Sequence, residues 1–584
     1  KSPLSSKGVR KTLEKTRAGL FEVMAGAQSW RKVIVLLLAS GCHVAAWVGG
    51  GAGLRSRFLR RATAMPLDSA QGSLPATQAS SEEEMSPPLF EGSTSDLEEA
   101  PATEVLSVGA APAPVSSVAD WFRTMAASPA KVPLLAEKHA AGRAALAAHG
   151  VPSKTQEPWR HAPISLFFGD ASLRHAGAAS TSGSEELAGE VAGYLTDQAS
   201  GAQLVFVDGR FSPELSDLSA CGDMGQKGEG YVGSLSTLAE AAADGDENAG
   251  ASLRRALKEL DYLPEISYKA DYRTRTGSAP LAALNQACFG DCAVIDVSAS
   301  SELPGMVQVL FVSTGQGSIQ HPRLVMCAGE GSELNLTQSY CSVGQDSRAF
   351  TNALTRLKLG EGATVRHNYL QETCGSHLFY ESVSANVAEG GTHEVITFST
   401  GADQTRINYD SFLDGPGAKD ELEVVLLSSG RQFMDLHSSL THAAPDTISR
   451  QQHRNVVADR AECVFKGRIR VDQIAQGTDS EQLCRSLLLA DSARVTMMPS
   501  LEIIADQVKC SHGATVADLS AEELFYLQSR GFSKEEARAL LIKAAVVAIS
   551  CKLDCKKAQA RIVEKIADIT TRMVESTSGV YSSI

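Results

Sequence analysis

Thiols and imidazoles at short spacing are the side chains of this sequence best suited to holding a metal. Four such pairs stand out: Cys510-Ser-His512, Cys374-x-x-His377, Cys551-x-x-x-Cys555 and Cys288-x-x-x-Cys292. Imidazole and thiolate both ligate iron well. In an extended chain residues two apart share a face, so Cys510 and His512 would point the same way. A closed metal site usually needs four protein ligands, and each of these is a pair. By residue type alone, the pairs at 374/377, 551/555 and 288/292 therefore read as structural, and a cysteine at 510 could equally fill core space. Other chemistries find less. No Gly-x-x-x-x-Gly-Lys-Ser/Thr occurs, so P-loop ATP hydrolysis is excluded. Gly315-Gln-Gly317 lacks the third glycine of a dinucleotide site and reads as a turn. No nucleophile–base arrangement stands out.

The elements that would position Cys510 and His512 are strands. Turn-like tetrapeptides recur through the middle of the chain: Gly329–Ser332, Gly360–Ala363, Glu389–Thr392, Gly415–Ala418, Ala458–Ala461 and Ala490–Ala493. Their spacings run from 26 to 43 residues, about 32 on average. Most introduce alternating apolar residues, such as Cys463, Phe465 and Ile469, or Val495 and Met497, the mark of strands with one buried face. Turn-plus-strand units at a loose repeat predict a β-solenoid, with a sandwich as the alternative.

Helices flank this region. VADWFRTMAA and VPLLAEKHAAGRAALAAHG predict two, the second ending at Gly150. LVFVDGRF predicts a short strand with an Asp-Gly turn, and Leu235–Asp261 predicts more helix. Beyond Thr515, Ser520 with Glu523 and Ser533 with Glu536 have capping-box spacing, and Gly531 falls at a helix C′ position. The second tail helix would turn Ala537, Leu540, Leu541, Ala544 and Val547 to one face; the third, Ile562, Ile566, Ile569 and Met573. The segments expected are 1–115, leader and disordered linker; 116–275, mostly helical; 276–516, β-solenoid; and 517–584, a helical domain.

Charge organises the start of the chain. Residues 1–61 carry twelve Lys/Arg and two Glu, whereas 62–115 carry nine Asp/Glu and no Lys or Arg. Val33–Leu54 holds no charge except on His43, like a signal-peptide core, and is long enough to cross a bilayer. The following RSRFLRRATAMP is Arg-rich and acid-free, like a transit peptide. Together they resemble the two-part leader of proteins sent to the plastid stroma of algae, with a membrane anchor or a cytosolic protein as alternatives. The mature chain is then expected to start between Ala62 and Val115 and to lack a membrane span. The whole chain has net charge −14, which argues against a nucleic-acid coat. Twelve cysteines in 584 residues, irregularly placed, suit thiols in a reducing compartment better than a disulfide scaffold.

Longer stretches carry a family likeness. PSLEIIADQVKCSHGATVADLSAEELFYLQSRGFSKEEAR (499–538) resembles the signature of the SufB/SufD family of iron–sulfur assembly proteins. QEPWRHAP, LVFVDGRFSPELS, HPRLVMCAGEGSELNL, TNALTRLKLGEGA and HRNVVADRAECVFKGRIRV follow in family order, so the likeness covers roughly 120–550. Gly513, where SufB typically has Glu, makes CSHGATV similar to SufD. His161-Ala162 departs from the usual Tyr-Thr. The resemblance implies a right-handed parallel β-helix flanked by N-terminal and C-terminal helical domains. It implies a non-catalytic scaffold subunit that pairs with a SufB-like paralogue and a SufC-like ATPase and serves apoprotein acceptors indirectly. No cofactor would be tightly bound by this chain alone. His512, with Cys510 beside it, would face a transient iron–sulfur cluster shared with SufB, and a flavin in the complex is left open. SufC would dock on the C-terminal helices, at a face including Leu540 and Leu541. Fold analogy alone adds two alternatives: an enzyme acting on polysaccharide, which the 6% aromatic content disfavours, and a stand-alone metal-binding protein.

Overall fold

The computed structural model describes residues 117–581 apart from short segments at 128–131, 171, 176–184, 197–200, 222–223, 225–229, 266–275, 316, 345–347, 374 and 554. The leader and linker expected over 1–115 lie outside the described residues.

Ten α-helices and twenty-one strands are described. The N-terminal helices are α1 (Val118–Ala126), α2 (Ala136–His149), α3 (Ile164–Phe167), α4 (Glu185–Ala192), α5 (Leu235–Ala243), α6 (Glu247–Glu259) and α7 (Ala279–Cys288). Local chemistry sets their ends. Ser117 caps α1 by accepting from Asp120 N, and Asp246 caps α6 by accepting from Asn248 N and Ala249 N. Gly150 closes α2 at φ 72°, a conformation costly for any residue with a Cβ. Between them, β2 (Gln203–Val207) turns through Asp208-Gly209, both at positive φ, into antiparallel β3 (Arg210–Phe211), as the Asp-Gly signal predicts.

The solenoid is a stack of two sheets. One runs β4 (Gly230–Ser234), β5 (Ala293–Val297), β8 (Arg323–Ala328), β10 (Phe350–Leu359), β12 (Leu378–Val387), β14 (Gln404–Leu413), β16 (Phe433–His442), β18 (Glu462–Val471), β20 (Arg494–Ile503). The second runs β3, β2, β6 (Glu302–Ser313), β9 (Glu333–Ser342), β11 (Thr364–Glu372), β13 (Thr392–Ser399), β15 (Lys419–Ser428), β17 (Ile448–Val457), β19 (Asp479–Leu488), β21 (Lys509–Ala517). Apart from the antiparallel β4–β5 pair and the marginal strand β7, the chain from β5 onward alternates between sheets and pairs in parallel, giving about eight coils. Two short strands, β1 (Arg174–His175) and β7 (Ser318–Gln320), pair at the margin of the first sheet. Successive coils advance by 26 residues (Leu378 to Gln404) to 32 (Glu462 to Arg494).

The recurring tetrapeptides are the corners. Four lead from the first sheet to the second, while Ala458–Ala461 and Ala490–Ala493 lead back, so the spacing seen in sequence mixes two corners. Gly331, Gly362, Gly390 and Gly417 hold equivalent places in successive coils at φ 63–69°. A Cβ at neighbouring Gly415 would collide with the Glu389 backbone, which fixes how closely coils stack.

The strand interiors depart from simple alternation. β10 and β12 are buried along nearly their whole length. One face of each strand fills the solenoid interior, with Leu336, Val365, Phe379, Leu422 and Phe465 among its residues. The other face is also covered. Trp121, Phe122, Trp159, Phe168 and Leu281 pack on Phe350, Tyr380 and Val464 of the first sheet. The tail helices pack on Phe398, Val425, Leu427 and Val456 of the second. Sheets covered on both faces read as continuous hydrophobic runs.

The tail comprises α8 (Ala521–Ser529), α9 (Lys534–Ser550) and α10 (Lys556–Tyr581). The reciprocal capping box is complete at Ser533/Glu536; at Ser520 the serine accepts from Glu523 N. Gly531 follows the α8 C-cap at φ 92°. The expected face of α9 is corrected. Its buried stripe is Ala537, Ile542, Val546 and Ile549, whereas Leu540, Leu541, Ala544 and Val547 are only half-buried. The helix is apolar nearly all round, so sequence periodicity could not choose the side that meets the sheet. Ile562, Ile566 and Ile569 of α10 are buried as expected; the side chain of Met573 lies outside the described residues.

Candidate functional site at the open end of the solenoid

Cys510 and His512 lie in β21, the last strand of its sheet, paired on one side with β19 and, among the described residues, unpaired on the other. The same is true of β20, paired only with β18. The final coil therefore presents two edges of unpaired backbone N–H and C=O groups, together with exposed Ile503, Ile504 and Val516. An edge of this kind is a template for another chain.

Register places the two side chains. Ser449, Ser480 and Cys510 stand in line through three coils, and so do Gln451, Gln482 and His512. Ser480 and Gln482 are buried, and Gln482 Nε2 donates to Gln451 Oε1 at 2.7 Å. Cys510 and His512 thus continue two interior columns past the last covered coil. Cys510 remains half-buried against the main core, while His512, with no coil above it, is exposed. Gln482 Oε1, one layer below His512, is buried without a hydrogen-bond partner among the described residues. Partial burial, reinforced by Asp479, raises the Cys510 thiol above its usual value. A metal or base must therefore take its proton before it can act as a ligand.

The other pairs behave differently. His377 is fully buried and its Nε2 meets Thr351 Oγ1 at 2.8 Å, while Cys374 lies outside the described residues. Cys551 is exposed but Cys555 is packed in the tail core, so the two share no pocket. Cys288 and Cys292 are buried in separate apolar clusters. Gly315 and Gly317 form a turn at positive φ.

On the tail, Leu540 and Leu541 lie off the buried stripe and remain partly accessible. Phe525 and Tyr526 of α8, 73% and 47% exposed, are a surface feature that the sequence reading missed. A signal was present: Leu524 and Leu527, three apart, mark the inward side of a short helix and leave the aromatics outward.

Comparison with known proteins bears on the family likeness. The family model described as SUF system FeS cluster assembly, SufBD core domain, matches residues 311–545. An iron–sulfur cluster assembly SufBD family protein of Synechocystis is 29% identical over 378 residues, 63% of this chain and 78% of that protein. The iron–sulfur cluster assembly protein SufD of Escherichia coli is 28% identical over 68% of this chain and 84% of its own length. The chloroplastic protein ABCI7 of Arabidopsis thaliana is 35% identical over 39% of this chain and 48% of that protein. None of these relatives supports the polysaccharide-enzyme or stand-alone metal-protein readings.

Proposed function

We propose, from its likeness to the SufBD core domain over residues 311–545 and to SufD proteins, that this chain is a member of the SufB/SufD family near SufD, a non-catalytic scaffold subunit that meets a SufB-like paralogue at the open end of its solenoid. The observation that carries this reading is the uncovered last coil, where Cys510 and His512 extend interior columns to an unpaired edge. A second chain adding its own strands there would satisfy the edge groups and bring further ligands to His512. A nascent cluster would then be held across two chains, its remaining ligands supplied by the partner. Docking of a SufC-like ATPase falls to the tail, where Phe525, Tyr526, Leu540 and Leu541 leave apolar surface uncovered. The two-part leader and the chloroplastic relative support action in a plastid.

Co-purification from the native source tests the assembly. Partner chains of the SufB and SufC kinds should accompany this one, with cluster iron following the complex. Recovery of the chain alone, holding stoichiometric iron and sulfide, would overturn the scaffold reading.

A further inference from the structure

Far from the open end, three potential ligands converge where the N-terminal helices meet the start of the solenoid. His175 lies on the two-residue strand β1, Cys288 is the last residue of α7, and His321 follows β7, the strand that pairs with β1. One ligand atom of each lies within 4.8 Å of the others. From this convergence we propose a second metal site: His175, Cys288 and His321 bind one divalent transition metal of the zinc or ferrous class.

The donor set suits that class, since imidazole and thiolate are borderline-to-soft ligands. Zinc lies about 2.3 Å from sulfur and about 2.0–2.1 Å from nitrogen, so closure asks the three donors to move by about 1 Å or less. Three protein ligands leave a position for water, the pattern of an exchangeable rather than a closed structural site.

The surroundings lack what such an ion would supply. His321 is buried, and its Nε2 has no hydrogen-bond partner among the described residues, a costly state that a metal would relieve. Its Nδ1 lies 3.2 Å from the Asn352 amide, an outer contact of the kind that orients a ligating ring. Ligation through Nε2 puts the ring proton on Nδ1, facing the Asn352 amide, which must turn over to accept it through Oδ1 and gives up its 3.0 Å bond to Leu281 O in doing so. His175 Nε2 donates to Met125 O at 2.7 Å, and the Cys288 thiol points at the same carbonyl at 3.6 Å. A bound ion replaces the thiol proton, which leaves to solvent, and the sulfur becomes a thiolate ligand. Burial lowers the basicity of both histidines.

Sequence spacing could not expose this set, because the members are far apart in the chain and Cys288 has its nearest cysteine, Cys292, in another cluster. The site is independent of the open end and does not require the scaffold reading.

Cobalt titration of the reduced, metal-free full-length chain tests it, on a Cys551→Ser background that removes the one exposed thiol among the described residues. One equivalent of Co²⁺ should bind with a thiolate-to-cobalt charge-transfer band. Cys288→Ser should abolish the band. His175→Gln, a half-buried residue whose loss spares the core, should weaken binding by at least the roughly 10–100-fold seen when an outer partner is removed. Circular dichroism checks that each variant is folded; should Cys288→Ser unfold, His175→Gln decides alone. No band in the parent, an unchanged affinity in His175→Gln, or a band removed by Cys510→Ala instead would each overturn the site.

Discussion

His512 stands in register beside Gln482, the last covered member of an interior column that runs back through Gln451, Leu422 and Val395. A position that would be core in any earlier coil is thereby turned into one that faces out of the end of the solenoid. The relationship explains how a histidine can be both precisely placed by a rigid ladder and open to solvent.

His512→Ala should leave the fold and complex formation near normal, because it removes an exposed side chain rather than a core layer. Reconstituted iron and sulfide in the complex should fall sharply, while ATPase activity persists in the partner that houses it. Cys510→Ala should have the smaller effect if its thiol only packs against the core. Equal cluster content in wild-type and His512→Ala complexes of equal subunit ratio would remove His512 from the site.

The tail offers a separation of stability from docking. Ile542→Ala takes a buried side chain out of the contact between α9 and the second sheet and should cost about 2–5 kcal/mol. Aspartate at Leu540 and Leu541, half-buried and off that stripe, should weaken pull-down of the ATPase with a smaller change in unfolding midpoint. The opposite ranking in paired denaturation and pull-down measurements would show that Leu540 and Leu541 are core residues.

Glu381 predicts a pH dependence. Its carboxyl is fully buried inside the solenoid, where Gln338, Tyr340 and Thr355 donate to Oε1 and Tyr369 to Oε2 at 2.6 Å. Burial outweighs these donors and raises its pKa to about 7. Since the folded value lies above the unfolded one, the associated stability is full below about pH 4.5 and is lost as pH rises through 7. The loss is on the order of 3 kcal/mol. Glu381→Gln keeps the shape without the charge, so its denaturation midpoint should change less between pH 5.5 and 8 than that of the wild type. Parallel changes in the two proteins would exclude Glu381 as the titrating group.

The proposed leader makes a cell-level prediction. Residues 1–115 fused to a fluorescent protein should carry it to a plastid, and the mature chain should begin between Ala62 and Val115. Stable full-length protein in membranes, resistant to carbonate extraction, would instead identify an anchor.

What the sequence settled by itself was local. Corner tetrapeptides, the Asp208-Gly209 turn, the Ser533/Glu536 box and Gly531 are each decided within a few residues, by backbone conformation and nearby hydrogen bonds. The solenoid follows from repeating such units, and the long segment around Cys510 carries the family likeness. Tertiary structure decided everything that depends on which surface meets which. It alone chose Ile542 and Val546 over Leu540 and Leu541 for the face of α9 that meets the sheet, because an all-round apolar helix carries no internal preference. It covered both faces of the middle strands, and it brought His175, Cys288 and His321 together from separate elements. It also left β20 and β21 without a covering coil. Burial is a property of neighbours rather than of residue type, and for these residues the neighbours are distant in the chain.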